Sequence, residues 1–226
     1  LGIALRSHGE IDPALAQLRE AATKYPDFAE AHYNLGDTLR IQNELGEAKV
    51  ALKKALAVRP DFSEAENNLA SILRAEGDID GAAQHIENAL RIKPNFAEAH
   101  NNLGNIKKAK GVFEEAIPHF EEAIRLRSDF AEAHYNLGNA LRATGRHEDA
   151  VDHYLRAIEI DPGQENALRR LRALSSWRTG AVCARHPEGS QQGGGPYVFS
   201  LDSRQGSSPR LLPEPFSVPP SHQTGP

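Results

Sequence analysis

The chain has 226 residues, a quarter of them charged, a formal net charge of −5 and one cysteine, Cys183. That balance disfavours nucleic acid as a partner, and a lone cysteine excludes an internal disulfide framework and agrees with a reducing compartment. No stretch approaches 18 consecutive apolar residues and no basic-then-apolar leader opens the chain, so the expectation is a cytoplasmic protein with no membrane partner.

In chain order, residues 1–28 read as an incomplete helical hairpin, with Pro13 in the first turn of a helix predicted to end at Lys24. The chain lacks Met and opens inside a helix period, six residues short of a full unit, which predicts a fragment of a longer protein. Residues 29–62, 63–96, 97–130 and 131–164 then repeat one pattern. The last is the clearest: Ala133, Leu137, Gly138 and Leu141 lie at helical spacing, as do Ala150, Val151, Tyr154, Ala157 and Ile158. Gly145 separates the two helices, and Asp161-Pro162 closes the second because the ring cannot continue it.

A step of 34 residues keeps the register. Counting Ala131 as position 1, position 7 holds Leu137, Leu103, Leu69, Leu35 and Leu1, and position 8 holds Gly138, Gly104, Ala70, Gly36 and Gly2. Position 20 is always Ala (Ala150, Ala116, Ala82, Ala48, Ala14), as is position 27 (Ala157, Ala123, Ala89, Ala55, Ala21). Small residues at 8, 20 and 27 let helices approach, while large ones at 7, 24 and 28 fill the space between hairpins. Each unit follows an Asp/Asn-Phe pair, Asp27-Phe28, Asp61-Phe62, Asn95-Phe96 or Asp129-Phe130, whose polar member is the candidate N-cap and whose Phe is placed to wedge between units. In the fourth unit Lys107 replaces an apolar residue and Pro118 predicts a bend.

Residues 165–176 keep Leu168, Leu171 and Leu174 on one face and read as a capping helix that turns Arg169, Arg170 and Arg172 to solvent. From Trp177 onward 22 of 50 residues are Gly, Pro or Ser, predicting a disordered low-complexity tail, with no P-x-x-P spacing for an SH3 ligand.

A 34-residue helix-turn-helix unit with these small and large positions and a closing Pro (Pro162, Pro94, Pro60, Pro26) resembles the tetratricopeptide repeat (TPR) family over residues 1 to about 175. The resemblance implies an all-α solenoid, a right-handed superhelix whose first helices line a concave groove.

On each first helix, positions 2, 5, 6, 9, 12 and 13 share the face away from the buried stripe. Position 6 is Asn34, Asn68, Asn102 and Asn136, and position 9 is Asp37, Ser71, Asn105 and Asn139. Position 12 is Arg6, Arg40, Arg74, Lys108 and Arg142, and position 2 is Glu30, Glu64, Glu98 and Glu132. An Asn amide both donates and accepts, so a file of them suits the backbone of an extended peptide whatever its sequence. The competing reading is that the amides brace neighbouring helices and that Glu early with Arg late complements the helix dipole. The run A-E-A-H-Y-N-L-G-N looks like the superhelix of O-linked N-acetylglucosamine transferases, in which an Asn ladder is implied to hold substrate backbones. A chaperone-type carboxylate clamp needs a base near position 2, where this chain has Glu.

His32, His100 and His134 recur at position 4 and His85, His119 and His153 at position 23, but adjacent helices stand about 8–10 Å apart, too far for joint ligation of one ion. No metal site or cofactor is expected, and no G-x-S-x-G, P-loop or G-x-G-x-x-G is present. The sequence therefore reads as a non-catalytic scaffold binding a protein or peptide segment, open to assembly into a multiprotein complex, through Asn34, Asn68, Asn102, Asn136, Asp37, Asn105, Asn139, Arg40, Arg74, Lys108 and Arg142. The alternative is the substrate-recognition arm of a larger glycosyltransferase whose catalytic domain lies outside this sequence.

Overall fold

The computed structural model describes residues 2–174, all within the first of the two units into which the chain divides, Leu1–Cys183 and Ala184–Pro226. The tail at 177–226 and the last two residues of the expected cap lie outside the described residues. Ten helices follow one another: α1 (Gly2–Ser7), α2 (Ile11–Lys24), α3 (Ala29–Ile41), α4 (Leu45–Val58), α5 (Ser63–Ala75), α6 (Ile79–Ile92), α7 (Ala97–Ala109), α8 (Phe113–Leu126), α9 (Ala131–Ala143) and α10 (His147–Ile160). Residues 165–174 are helical as well, and no strand occurs among the described residues.

Odd- and even-numbered helices pair as hairpins because of one close contact per pair. Gly104 on α7 faces Phe120 on α8, where a built Cβ would lie 2.5 Å from the ring, and Gly138 faces Tyr154, where it would lie 2.7 Å away. Gly36 meets Leu52 and Gly2 meets Leu18 in the same way. In the third hairpin Ala70 stands at this position and the facing residue is Ile86; both are buried. Removing the Cβ thus makes room for the larger side chains opposite.

Each turn is closed by a left-handed residue, Gly9, Gly77, Gly111 and Gly145 at φ between 78° and 88°, and Asn43 at 63°. The following amide reaches back five residues, as Asp78 N–H donates to Leu73 O at 2.9 Å and Arg146 N–H to Leu141 O at 2.9 Å. This satisfies carbonyls that a helix end leaves open.

The first helices of successive hairpins touch directly, α3 with α5, α5 with α7 and α7 with α9, and each second helix packs on the first helix that follows. Buried side chains form clusters handed from hairpin to hairpin, one spanning Leu15 to Ile106 and another Ala116 to Leu174, as a solenoid requires. Ala167 and Leu174 of the 165–174 helix join the second cluster, whereas Leu168 and Leu171 are half-buried.

One local expectation is corrected. The residues at the starts of α3, α5, α7 and α9 that take the N-cap position are Phe28, Phe62, Phe96 and Phe130, with no side-chain cap hydrogen bond. Phe62, Phe96 and Phe130 instead carry a cation on their rings: Arg59 at 3.6 Å, Lys93 at 4.6 Å and Arg127 at 3.6 Å from the centroid. The side chain that does cap is Asp78, which accepts from Gly81 N–H at 2.9 Å. Pro118 lies inside α8, which continues on both sides of it. Lys107 is accommodated by donating to Glu115 at 2.7 Å, on the first turn of α8.

Candidate functional site

The polar positions of the first helices are linked to one another from hairpin to hairpin. Asp37 on α3 is the most heavily engaged: its carboxylate accepts from Arg6 at 2.8 Å, from Arg40 at 2.8 Å and from Asn68 Nδ2 on α5 at 3.0 Å. One hairpin on, Asn102 Nδ2 donates to Asn67 Oδ1 at 2.8 Å and to Ser71 Oγ at 3.3 Å. Next, Asn136 Nδ2 donates to Asn101 Oδ1 at 3.1 Å, while its Oδ1 accepts from Lys108 Nζ at 2.8 Å. Asn34 donates within its own helix, to Glu30 O at 2.7 Å. Asn139 Oδ1 accepts from the Tyr154 hydroxyl at 3.0 Å.

These contacts alter the character of the row. Asn68, Asn105 and Asn136 are each no more than 9% exposed, not on an open face, and the amide nitrogens of Asn68, Asn102 and Asn136 are spent on the preceding hairpin. The spacing that aligned them could not show this, because it needs a side chain at position 5 or 9 of the previous unit, Asn67, Asn101 or Asp37, as acceptor. What remains open is cationic. Arg74 is exposed and makes no hydrogen bond or ion pair among the described residues, and Arg142 is half-buried beside the Tyr154 phenol. The Lys108 ammonium is held below the ordinary lysine range by burial and then by the neighbouring Arg74, with Glu132 opposing. At Tyr154, burial pushes the phenol up while Arg142 and Arg170 pull it down.

The acids at position 2 are engaged elsewhere. Glu30 pairs with Arg59 at 2.6 Å, Glu64 with Lys93 at 2.9 Å and Glu98 with Arg127 at 2.6 Å. These are the same bases that lie over the Phe rings, so a Glu, a base and a Phe form one clip per hairpin. In the last hairpin the base is replaced by Asp161, and Glu132 accepts from Asn101 at 3.1 Å instead. The recurrence of Arg59, Lys93 and Arg127 at position 31 was present in the sequence as a signal.

The histidines also pair within hairpins. His134 Nε2–H donates to Ser128 O at 3.2 Å, and its Nδ1 meets His153 Nδ1 at 3.0 Å. The rings of His100 and His119 stack with centroids 6.1 Å apart, and in the third hairpin the corresponding pair is Glu66 with His85. Burial is the first cause that lowers the pKa of His119, His134 and His153. Among the described residues no group of three or more His, Cys, Asp or Glu converges on a metal position. Nor does any described helix have the length and apolarity to cross a membrane.

Between α2 and α4 lies a second feature the sequence did not announce, an open cleft of about 830 Å³ lined by Ala22, Leu35, Leu39, Val50, Ala51 and Val58 among others.

An all-helical array of hairpins in a 34-residue register defines a class before any comparison is made. The tetratricopeptide repeat family matches residues 1–57 and 101–165, more than half of the chain, and a second description of the same unit, TPR repeat, matches residues 70–111. The chain belongs to the tetratricopeptide repeat family. Among solved structures it is similar to TTC0263, a thermophilic TPR protein of Thermus thermophilus, with a TM-score of 0.64 and 23% identity over 76% of this chain and 94% of that one. It is similar to YrrB, described as a TPR protein with an unusual peptide-binding site, with a TM-score of 0.57 and 25% identity over 74% and 87%. A third likeness is to a chain of the APC/C hetero-tetramer Cut9–Hcn1, with a TM-score of 0.74 and 20% identity over 78% of this chain and 35% of that one. At their identities the first and third speak for the fold alone. No curated protein matches the chain.

Proposed function

We propose that this chain is a non-catalytic interaction scaffold that seats a segment of a partner polypeptide along its first helices, with neither nucleic acid nor a membrane as its target. The observation that carries this reading is the direct stacking of α3, α5, α7 and α9, which brings the same register positions of successive hairpins onto one continuous face. Membership in the family supports it, as does the peptide-binding site ascribed to YrrB. Contact is assigned to the accessible members of the row, Asn34, Arg40, Arg74, Lys108, Asn139 and Arg142, with Asn68, Asn102, Asn105, Asn136 and Asp37 holding the face in shape. That division weakens the glycosyltransferase-arm alternative, whose argument needs the Asn amides free to meet a peptide backbone.

The test is selection of binders from a random peptide library displayed on phage against the full chain, followed by calorimetry of the selected peptides. Single-site binding that is lost in Arg74→Glu and kept in the second-helix variant Lys53→Glu/Lys54→Glu supports the reading. Binding that follows the second-helix substitutions, or a selection that yields no binder, overturns it.

A further inference from the structure

We infer that the segment this face accepts is acidic, its carboxylates meeting the position-12 cations of the later hairpins as the Asp37 carboxylate meets Arg6 and Arg40 in the second. The inference rests on the scaffold reading above and adds the chemistry of the partner. Asp37 shows what the local geometry holds: one carboxylate is gripped by two consecutive position-12 cations, Arg6 and Arg40, and by the position-6 amide of the following hairpin, Asn68. The cations of this grip recur further along with the carboxylate removed, while the amides of Asn102 and Asn136 donate to the preceding hairpin. Position 9 becomes Ser71, Asn105 and Asn139, yet position 12 stays cationic as Arg74, Lys108 and Arg142. Three hairpins thus keep a position-12 cation with no carboxylate at position 9.

Of the nearby acids, Glu64 and Glu98 are held by Lys93 and Arg127, while Glu132 accepts from Asn101 and is the one carboxylate that acts on Lys108. Arg74 and Lys108, at position 12 of successive hairpins, stand near enough for Arg74 to lower the Lys108 pKa. Cations brought together in a partly desolvated row gain most from a partner that supplies carboxylates. First helices about 8–10 Å apart match every third residue of an extended chain rising about 3.3 Å per residue, so the fitting pattern is an acid at each third position.

The experiment measures fluorescence anisotropy of the full chain with three labelled peptides, (Glu-Gly-Ser)4, (Gln-Gly-Ser)4 and (Lys-Gly-Ser)4. The expected order is Glu well above Gln, with Lys not bound, and an affinity that falls as salt rises. Ser71→Asp/Asn139→Asp rebuilds the internal carboxylate while keeping both acceptor positions and should weaken the Glu peptide about tenfold, whereas Lys53→Gln/Lys54→Gln makes the same charge change elsewhere and should leave it within about twofold. Arg74→Gln removes an exposed, unpaired cation without touching the packing and should cost about threefold. If the Gln peptide binds as tightly as the Glu peptide, the partner is not acidic and the scaffold reading alone survives. If the two charge variants weaken binding equally, the acid is bound elsewhere and both readings fall. If none of the three peptides binds, the inference is overturned while the phage selection still decides the scaffold reading. Circular dichroism of each variant confirms that it is folded.

Discussion

Gly104 and Gly138 are the residues at which this fold has least freedom. A methyl group at Gly104 would stand 2.5 Å from the Phe120 ring, and neither α7 nor α8 can move without disturbing α9 and α5. Gly104→Ala should therefore destabilise by about 1–3 kcal/mol in spite of the better helix propensity of Ala, and the paired change Gly104→Ala/Phe120→Ile, which copies the Ala70–Ile86 hairpin, should recover part of the loss. Urea denaturation of the two variants checks this; equal stability of the single variant and the parent would remove the close-packing account. The asparagines give the converse case. Exposed amides satisfied by water could be replaced at no cost, but Asn68, Asn102 and Asn136 donate to Asp37, Asn67 and Asn101. Changing all three to Ala should lower the melting temperature, at about 0.5–1.5 kcal/mol per bond lost. An unchanged melting temperature would mean that these bonds contribute nothing to the array. The period of 34 made the alignment of the amides legible; it could not tell which way each one pointed, because that depends on the residue one hairpin earlier.

At the scale of the hairpin, the position-4 and position-23 side chains join the two helices through titratable groups. Burial lowers the pKa of His119, His134 and His153, so the folded protein disfavours their charged forms relative to the unfolded chain. The groups around the last pair do not reverse this: Asp152 and Asp149 raise His153, His134 and Arg146 lower it, and Arg156 lowers His134. Where the unfolded state binds more protons, stability rises with pH. The contribution is complete above the ordinary histidine value of about 6.5 and is lost as pH falls below it toward the folded-state values. The urea midpoint should accordingly drop between about pH 7.5 and 5.5, and His134→Gln/His153→Gln should flatten that slope. A midpoint independent of pH across this window would contradict the burial of these rings in the neutral form. Sequence spacing revealed the two histidine files and compared them along the array, whereas the contact that matters runs across the hairpin. The Phe residues before each first helix were likewise visible, but their partners, Arg59, Lys93 and Arg127, lie three residues earlier and serve a different purpose from the cap expected of Asp or Asn.

Across the whole array, the position-6 amides of Asn68, Asn102 and Asn136 all donate in one direction, each to an acceptor at position 5 or 9 of the hairpin before it. Every such unit is therefore a plug on one side and a socket on the other, and the two ends are interchangeable among units. Excision of 97–130 would bring Asn136 to Asn67 and Ser71, the acceptors that Asn102 now uses; excision of 63–96 would bring Asn102 to Asp37, the acceptor of Asn68. Either shortened chain should fold cooperatively with a lower melting temperature, while loss of half that length, 97–113, should abolish the transition because it sets a first helix's donors against a second helix. Calorimetry of the three deletions reads this directly, and comparable melting of the half-unit deletion would refute it. A protein assembled on this rule changes length only in whole units, and with each unit added or removed it gains or loses one cation of the position-12 row, so the reach of the array and the charge it presents are set by the same count.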